Sequence, residues 1–251
     1  MKLHHFSVMG VLEKRKDPMG AAIADFYKNG VAGRLRVMSS MFDEDEIPVE
    51  HLFRVFEEMS EIERVALELS RGRCLDVGAG AGCHSLALQD RGVDVCAIDI
   101  SPLSVETMKH QGVADVRLAD FFTDDLREQF DTILMLMNGS GIIGKIDNMP
   151  KFFARLKILL AKGGQVLLDS SDLIYLFEDE EGSADIDLAG DYYGEVDYAM
   201  QYKNIKGDSF DWLYVDFETL AYHAEACGFV AELIKKGEHY DYLARLSCKN
   251  L

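Results

Sequence analysis

Positive charge is scarce in this sequence. Its 251 residues include 26 lysines and arginines against 44 aspartates and glutamates, which gives a formal net charge of -18. A surplus of this size repels a phosphate backbone and removes the long-range attraction behind most nonspecific nucleic-acid affinity. The composition therefore disfavours an RNA or DNA substrate, although it leaves room for a local basic groove.

Cysteines, prolines and long apolar runs are also few. The five cysteines are widely spaced without a Cys-x-x-Cys pair, so neither a disulfide framework nor a zinc knuckle is predicted. The seven histidines show no pairing typical of a metal site. No run reaches the roughly 20 apolar residues of a membrane-spanning helix, and the first ten residues are too weak for a secretory signal. We therefore expect a globular, cytoplasmic protein that has no membrane span and no metal.

Strand and helix patterns alternate from about residue 72. Helical patterns of about ten residues and a polar stretch separate five apolar runs, at 74–77, 93–98, 113–118, 130–137 and 165–168. Such alternation implies parallel pairing through right-handed crossovers. The sequence therefore predicts an α/β fold with a doubly wound, mostly parallel sheet and helices on both faces.

The two ends of the chain follow other patterns. Residues 1–70 read mainly as helices, with an amphipathic segment over 49–69, and predict a helical appendage before a sheet domain over 71–251. An insertion over about 170–215 contains a β-hairpin signal around Lys206-Gly207-Asp208. Segments 229–234 and 240–246 predict a terminal antiparallel pair. The sequence leaves open whether the appendage packs on the sheet or covers a site.

A glycine-rich turn follows the first predicted strand, in the run Leu75-Asp76-Val77-Gly78-Ala79-Gly80-Ala81-Gly82-Cys83-His84. In an open α/β sheet, ligands bind beyond the carboxyl ends of the strands, so this turn is the place to expect one. Its glycines permit a tight turn and close approach to a ligand, and the following helix offers free amides. A dinucleotide fingerprint requires glycine where Cys83 stands, so the usual NAD motif is not matched.

Acidic residues follow the next two predicted strands. Asp99 lies 17 residues after Gly82 and is placed to accept hydrogen bonds from both hydroxyls of a ribose. Asp120 lies at the same sheet edge and is able to accept a hydrogen bond from an exocyclic amine, while Phe121 offers an apolar wall for a base. These residues together indicate a nucleoside-containing ligand.

The glycine turn, Asp99, the Asp120-Phe121 pair and the apolar run at 130–137 resemble class I S-adenosylmethionine-dependent methyltransferases. The resemblance covers roughly residues 71–169 and the terminal strands in outline. It implies a Rossmann-like methyltransferase fold with seven strands, S-adenosylmethionine as cofactor and ten cofactor-binding residues. These are Asp76, Gly78, Ala79, Gly80, Gly82, Asp99, Ile100, Asp120, Phe121 and Asn138.

Each part of the cofactor has its expected partners under this resemblance. Asp76 with the backbone of the turn would surround the methionine part, Asp99 would hold the ribose, and Asp120 with Phe121 would frame the adenine. Asn138 would face the methionine end or the substrate, or else simply turn the chain before Gly139. The run Asn138-Gly139-Ser140-Gly141 lacks the Asn/Asp-Pro-Pro-aromatic motif of amide and base methylation, which disfavours a nucleobase acceptor.

The function predicted from this resemblance is methyl transfer to a small-molecule acceptor, mainly by alignment and desolvation. No catalytic residue is identified. Candidate acceptor-side residues are His51, Arg54, Tyr192 and Tyr193; His84 is a candidate contact of the methionine carboxylate, and the acidic run over 170–194 is a candidate for recognising an amine. The open alternatives are an NAD-linked oxidoreductase, a non-catalytic cofactor-binding regulatory module, and a propylamine transferase that uses the decarboxylated cofactor. The oligomeric state is left open.

Overall fold

Helices and strands alternate from Arg73 onward, as the sequence predicts. The computed structural model describes residues 10–123, 126–178 and 190–249. The strands are β1 Leu35–Met38, β2 Asp45–Ile47, β3 Arg73–Val77, β4 Asp94–Asp99, β5 Asp115–Leu118, β6 Phe130–Met135, β7 Leu160–Ser171, β8 Glu195–Tyr202, β9 Ile205–Lys206, β10 Phe210–Leu213, β11 Phe229–Lys236 and β12 Asp241–Cys248. The helices are α1 Pro18–Asn29, α2 Glu61–Leu69, α3 Cys83–Asp90, α4 Pro102–Gln111, α5 Met149–Leu159 and α6 Phe217–Ala226.

The larger sheet has seven strands in the order β11-β12-β7-β6-β3-β4-β5. Strands β3 to β7 pair in parallel, while β12 runs antiparallel to both β7 and β11. The predicted doubly wound sheet with an antiparallel terminal strand is therefore confirmed. The chain runs outward from β3 to β5 and then returns to the other side of β3 with β6. This reversal of strand order places a ligand-binding crevice at the carboxyl ends of β3 and β6.

Local capping signals explain where α4 begins and ends. The Ser101 hydroxyl accepts a hydrogen bond from the Ser104 amide at 2.9 Å, and Pro102 occupies the first turn, where it leaves no amide unpaired. The helix ends at Gly112, whose φ of 94° is left-handed and easily adopted by glycine. Both features agree with the sequence interpretation.

A second sheet combines strands from the predicted N-terminal appendage with strands from the predicted insertion. Its main order is β10-β8-β1-β2, with antiparallel pairing throughout and β9 paired to β8. The predicted hairpin is present as β8 and β10. The prediction that residues 1–70 are mainly helical is only partly right, because β1 and β2 lie there. A two-stranded β1-β2 pair is marginal alone; it is extended because β8, some 160 residues away in sequence, pairs with β1.

The amphipathic segment over 49–69 is not one helix. Short 3-10 helices at Val49–Phe53 and Phe56–Glu58 precede α2. Helix α2 starts at a capping box, in which the Ser60 hydroxyl accepts from the Glu63 amide and the Glu63 carboxylate accepts from the Ser60 amide. The division of the chain at residue 70 stays a prediction.

Apolar side chains cover both faces of the larger sheet. One cluster contains Phe130, Phe152 and Phe153 between the sheet and α5, and another contains Leu67 and Leu88 from α2 and α3. Within the described residues, no helix is long and apolar enough to cross a membrane. Much of the acidic run predicted to recognise an amine, at 179–189, lies outside the described residues.

Candidate active site

The glycine turn after β3 depends on left-handed backbone. Gly78, Gly80 and Gly82 have φ values of 70°, 59° and 89°, a region that side chains with a Cβ rarely adopt. The Gly78 amide donates to the Ile98 carbonyl at 2.9 Å, which ties the turn to β4. A Cβ on Gly82 would lie 2.9 Å from Met108 Cγ, so this position also needs glycine for packing.

Asp99 closes the turn from the end of β4. One carboxylate oxygen accepts from the Gly80 amide and the other from the Ser101 amide, both at 2.8 Å. Burial raises the pKa of Asp99 to about 6, helped by the nearby Asp17 and Asp76 carboxylates and opposed by these two backbone hydrogen bonds. A carboxylate has about four acceptor positions, so Asp99 retains capacity for two hydroxyls.

Asp120 and Phe121 lie after β5 at the same sheet edge. The Asp120 carboxylate accepts from the Phe122 amide at 2.8 Å, and burial raises the pKa of Asp120. Phe121 is buried, with its ring 5.9 Å from that of Phe152. The Arg155 guanidinium donates to the Phe121 carbonyl at 2.8 Å, which fixes this segment in place. The two predicted adenine contacts are therefore held by neighbours.

Asn138 is a turn residue, as one of its two sequence interpretations has it, and its contact with a cofactor or substrate stays a prediction. Its φ of 58° makes it a turn residue, and it lines the same cavity as the glycine turn. Its side-chain oxygen accepts from the Ser171 hydroxyl at 2.8 Å, while the next amide, of Gly139, donates to Asp169 at 2.9 Å. Burial raises the pKa of Asp169 to about 6. The turn after β6 is thus anchored to the end of β7.

A large cavity, of about 1030 Å³, runs along the carboxyl ends of the central strands. Nine of the ten residues predicted to bind a cofactor line it. They are Asp76, Gly78, Ala79, Gly80, Asp99, Ile100, Asp120, Phe121 and Asn138. Gly82 does not line the cavity; it is the N-cap residue of α3 and packs against Met108 and Val113. Whether these residues contact a cofactor stays a prediction.

The second sheet and the loops beside it form one wall of the cavity, which sequence reasoning missed. This wall is aromatic, and its residues are Phe42, Tyr198, Phe210, Trp212 and Tyr214. A Cβ on Gly141 would lie 1.7 Å from Trp212 Cε2, so the indole rests directly on the glycine backbone after β6. The one available signal was that Trp212 is the chain's sole tryptophan and lies in the predicted hairpin.

Many of the polar residues that line the cavity are aspartates. We call the part of the cavity that is lined by the second sheet and the loops beside it the outer chamber. Apart from Asp17 and the predicted cofactor residues, the aspartates that line the cavity are Asp43, Asp45, Asp147, Asp208 and Asp211. The cavity's two lysines are each paired, Lys16 with Asp208 at 2.7 Å and Lys145 with Glu195 at 3.2 Å. The outer chamber therefore carries a surplus of negative charge.

A buried charge network adjoins the cavity at His84. His84 Nε2 lies 2.8 Å from Glu63 Oε1, and the Arg54 guanidinium donates to both Glu63 oxygens, at 2.8 and 3.0 Å. Burial alone lowers the pKa of His84, but the Glu63 hydrogen bond and the Asp76 charge raise it above its ordinary value. His84 lines the cavity, whereas Arg54 does not and instead forms an ion pair with Glu63.

The other acceptor-side candidates lie away from the cavity. His51 is exposed on a 3-10 helix. The Tyr192 hydroxyl donates to Asp216 at 2.6 Å and the Tyr193 hydroxyl to Asp172 at 2.7 Å. Neither tyrosine lines the cavity. Their hydrogen bonds instead attach the insertion to Asp216 and Asp172. In the part of the chain that the structure describes, no group of three or more His, Cys, Asp or Glu residues could hold a metal ion.

The arrangement of sheet, glycine turn and acidic residues defines a Rossmann-like methyltransferase fold, and comparisons with known proteins agree. Residues 50–215 match a family model described as a methyltransferase domain. A crystal structure of an S-adenosylmethionine-dependent methyltransferase from Bacteroides fragilis, in complex with S-adenosylhomocysteine, is 61% identical. The match covers 95% of this chain and 98% of that one, with a TM-score of 0.91. No curated protein sequence matches the chain.

More distant structures share the fold. The CcbJ methyltransferase from Streptomyces caelestis is 14% identical, with 93% of this chain and 98% of that one covered and a TM-score of 0.61. The sugar N-methyltransferase KedS8 from Streptoalloteichus is 18% identical, with 85% and 98% covered and a TM-score of 0.56.

The chain belongs to the S-adenosylmethionine-dependent methyltransferase family. The predicted fold, enzyme class and cofactor class are confirmed, and the NAD-linked alternative is not favoured.

Proposed function

We propose that this chain transfers the methyl group of S-adenosylmethionine to a small-molecule acceptor held in the outer chamber of the cavity. The observation that carries the proposal is that residues of the second sheet line the same cavity as the glycine turn. A volume of about 1030 Å³ lies at the upper end of the usual range for ligand pockets, so a cofactor and a small acceptor fit together.

The residues present fit the cofactor. Asp99 retains acceptor capacity for the ribose hydroxyls, and a Cβ at Gly80 would meet no atom within 4 Å, which leaves open space over the turn. Asp120 and Phe121 supply an acceptor and a ring for the adenine. We infer that nine of the ten predicted residues contact the cofactor and that Gly82 shapes the turn from below.

S-adenosylmethionine, when bound, supplies a methyl group on a sulfonium whose leaving group is neutral. The protein's own contribution is to align the reactants and to exclude water. In intramolecular reference reactions, such effects lower the activation barrier by several kcal/mol. Trp212, stacked on Gly141, places a flat apolar surface beside the turn after β6. A second apolar ring, Phe210, adjoins Trp212 with ring centres 6.1 Å apart.

We further propose that the acceptor carries a basic nitrogen. Positive charge moves from sulfur to the acceptor as the new N–C bond forms and the S–C bond breaks, and the outer aspartates stabilise it. The attacking nitrogen must hold a free electron pair, so its proton passes to water before transfer. Aromatic faces such as Tyr198 and Trp212 also favour a cationic group.

The regions outside the central sheet complete the proposal. We propose that residues 1–70 and the insertion act together as a cover over the cavity, because β1 and β8 pair directly. We also place the protein in the cytoplasm, since its five cysteines are free thiols, three of them buried, which suits a reducing compartment.

A turnover assay with methyl-labelled S-adenosylmethionine tests the proposal. The purified chain is incubated with matched panels of small amines, carboxylic acids and phenols, and both S-adenosylhomocysteine release and methylated product are measured by mass spectrometry. We expect turnover within the amine panel. Turnover confined to phenols or acids would refute the basic nitrogen, and binding of the cofactor without turnover on any panel would favour a regulatory module. The paired variants Asp211→Asn and Asp191→Asn distinguish the cavity carboxylate from an exposed one outside it.

A further inference from the structure

One face of the second sheet lines the cavity. Successive side chains of a strand point to opposite faces, and β2 and β8 contribute alternate residues to the lining, at 45 and 47 and at 198 and 200. These positions are in register, because Asp45 pairs with Val37 and Val37 pairs with Met200. Further along β8, Tyr198 pairs with Phe210 of β10, and both line the cavity. The Tyr198 side chain therefore lies on the face that is directed at the cavity.

Tyr214, just after β10, brings a second phenol to the first. Its hydroxyl oxygen lies 3.1 Å from that of Tyr198, a hydrogen bond in which either phenol can be the donor. Tyr214 also lines the cavity. The residue before it is fixed, because Ser140, in the turn after β6, donates its hydroxyl hydrogen to the Leu213 carbonyl at 2.8 Å. The phenol pair, Tyr198 with Tyr214, is thus held near the turn on which Trp212 rests.

The phenol pair has one hydrogen more than its internal bond uses. Each hydroxyl carries one hydrogen, and the bond between the two oxygens takes only one of them. Within the described residues, neither hydroxyl has another hydrogen-bond partner. Burial raises the pKa of both Tyr198 and Tyr214, so both phenols keep their hydrogens at neutral pH. The pair therefore offers a ligand one uncharged donor together with acceptor lone pairs.

The charge of the outer chamber determines which group suits the phenol pair. A carboxylate on the acceptor would be repelled by the surplus of aspartates that line the cavity. An alkyl group in the same place would bury the free phenol hydrogen without a partner. A hydroxyl group has one hydrogen and two lone pairs, so it accepts from one phenol and donates to the other or to a lining carboxylate. The phenol pair therefore matches a hydroxyl best.

We propose that the phenol pair is a specificity site for a hydroxyl group of the acceptor, which makes the acceptor an amino alcohol. The nitrogen receives the methyl group, and the hydroxyl anchors the molecule on the second sheet. The inference rests on the proposed function and deepens it, because it adds a second required polar group to the amine. Tyr198 and Tyr214 take no part in proton transfer; they determine which amine is held in position.

Matched amines test the hydroxyl without any substitution. In the turnover assay with methyl-labelled S-adenosylmethionine, ethanolamine is compared with propylamine and propanolamine with butylamine. A third pair is cyclohexylamine with either a hydroxyl or a methyl group on the neighbouring carbon. Rates are expressed per concentration of unprotonated amine, because a nearby hydroxyl lowers the basicity of the nitrogen.

We expect the hydroxylated member of at least one pair to have a kcat/KM about 10-fold or more above that of its alkyl partner, with the label on nitrogen. Equal or better use of the alkyl member in every pair would overturn the proposal. Label on the oxygen would overturn it as well, because the hydroxyl would then be the methyl acceptor and not an anchor.

The double variant Tyr198→Phe/Tyr214→Phe tests the residues themselves. It keeps both rings and removes both hydroxyls together, so neither phenol is left without its partner and the fold is spared. We expect the preference for the hydroxylated amine to fall to about twofold or less, while the Kd for S-adenosylhomocysteine stays within about twofold of the wild type. Amine basicity is the same for both proteins and cancels in this comparison.

Tyr222→Phe is the matched control, because Tyr222 is exposed on α6 and lies outside the cavity lining. It should keep the full preference of the wild type. A double variant that also keeps the full preference, even with lower rates on both members of a pair, would show that the phenols only join β8 to the end of β10 and would overturn the proposal.

The outcomes separate this inference from the proposed function. Should the wild type methylate no amine of either kind, the basic nitrogen of the proposed function fails and the phenol site fails with it. Should amines be methylated without preference for a hydroxyl, the proposed function stands and only the phenol site is refuted.

Discussion

The Gly80 amide donates a hydrogen bond to the Asp99 carboxylate across 2.8 Å, so the glycine turn after β3 and the end of β4 form one unit. The same carboxylate accepts from the Ser101 amide, at the start of α4. Three consecutive elements of the fold thus meet at one side chain. A ligand bound there would contact backbone whose position is already fixed, which lowers the entropy that binding must overcome.

Replacement of Asp99 by asparagine should weaken the cofactor site. The amide offers one acceptor oxygen in place of two, so the ribose hydroxyls and the two backbone amides compete for it. We expect S-adenosylhomocysteine to bind about 10- to 100-fold more weakly by calorimetry, equivalent to about 1 to 3 kcal/mol. Asp94→Asn, at the exposed start of the same strand, is the control and should leave the affinity unchanged. Unchanged affinity in Asp99→Asn would mean that the ribose lies elsewhere.

Cofactor affinity should depend on pH through the same carboxyl. Burial, with Asp17 and Asp76 nearby, raises the pKa of Asp99 to about 6 in the ligand-free protein. Only the ionised form accepts hydrogen bonds from both hydroxyls, so affinity for S-adenosylhomocysteine should rise between pH 5 and pH 7 and level off above, by roughly one proton's slope. Because Asp169 also has a pKa of about 6, the Asp99→Asn variant is titrated in parallel. An identical pH profile in the variant would assign the effect to another group.

The raised pKa of Asp99 also makes the free energy of unfolding depend on pH. A carboxyl whose pKa is higher in the folded than in the unfolded protein stabilises the fold only at low pH. Its contribution is therefore present below the unfolded value of 3.8 and is lost as the pH rises through about 6. Bound ligand hydroxyls offset that loss, so the stabilisation by S-adenosylhomocysteine in a thermal melt should be larger at pH 7 than at pH 5.

Alanine substitutions at Gly82 and Gly92 distinguish the free-energy cost of backbone strain from the cost of steric crowding. Both have left-handed φ values, of 89° and 77°, but a Cβ at Gly92 would meet nothing within 4 Å, whereas at Gly82 it would lie 2.9 Å from Met108. Gly92→Ala should lose about 1 to 2 kcal/mol of unfolding free energy from the backbone alone. Gly82→Ala should lose about 1 to 3 kcal/mol more, because Met108 is fully buried and a core resists extra volume. Equal losses in urea titrations would show that Met108 moves aside without cost.

Several of these features follow from local sequence signals. The Ser101-Pro102 start of α4, its glycine end and the glycine turn each depend on residues a few positions apart, so the sequence was sufficient for them. Strands β1 and β2 were missed because they are short and because β1, the partner of β2, pairs on its other side with β8, far along the chain. The aromatic wall was missed for the same reason. Phe42, after β1, and Trp212, in β10, line the same cavity because both strands pair with β8.

The hydrogen-bond network of His84 shows a further limit. Sequence reasoning singled out His84 and Arg54 separately, the first for the methionine carboxylate and the second for the acceptor. Their link is Glu63, whose capping-box position after Ser60 is visible in the sequence but whose contact with His84 is not. Helices α2 and α3 bring these side chains together, so only the fold identifies Arg54 as a support.

Trp212 should report acceptor binding directly. It is the chain's only tryptophan, lines the outer chamber and rests on Gly141, so an acceptor there changes its surroundings. We expect a change in tryptophan fluorescence on adding an acceptor found by the turnover screen. Trp212→Ala should raise the KM for that acceptor about 10-fold or more while leaving the Kd for S-adenosylhomocysteine within about twofold. Trp212→Phe, which keeps a ring, is the control; an acceptor KM untouched by Trp212→Ala would place the acceptor elsewhere.

The most direct test of the account is a calorimetric titration of the purified chain with S-adenosylmethionine, S-adenosylhomocysteine and NAD in parallel. The glycine turn, Asp99 and the family relationship predict micromolar binding of the first two and no heat with NAD. Binding of NAD with neither of the others would contradict the account, because it would mean that the turn holds a pyrophosphate despite Cys83.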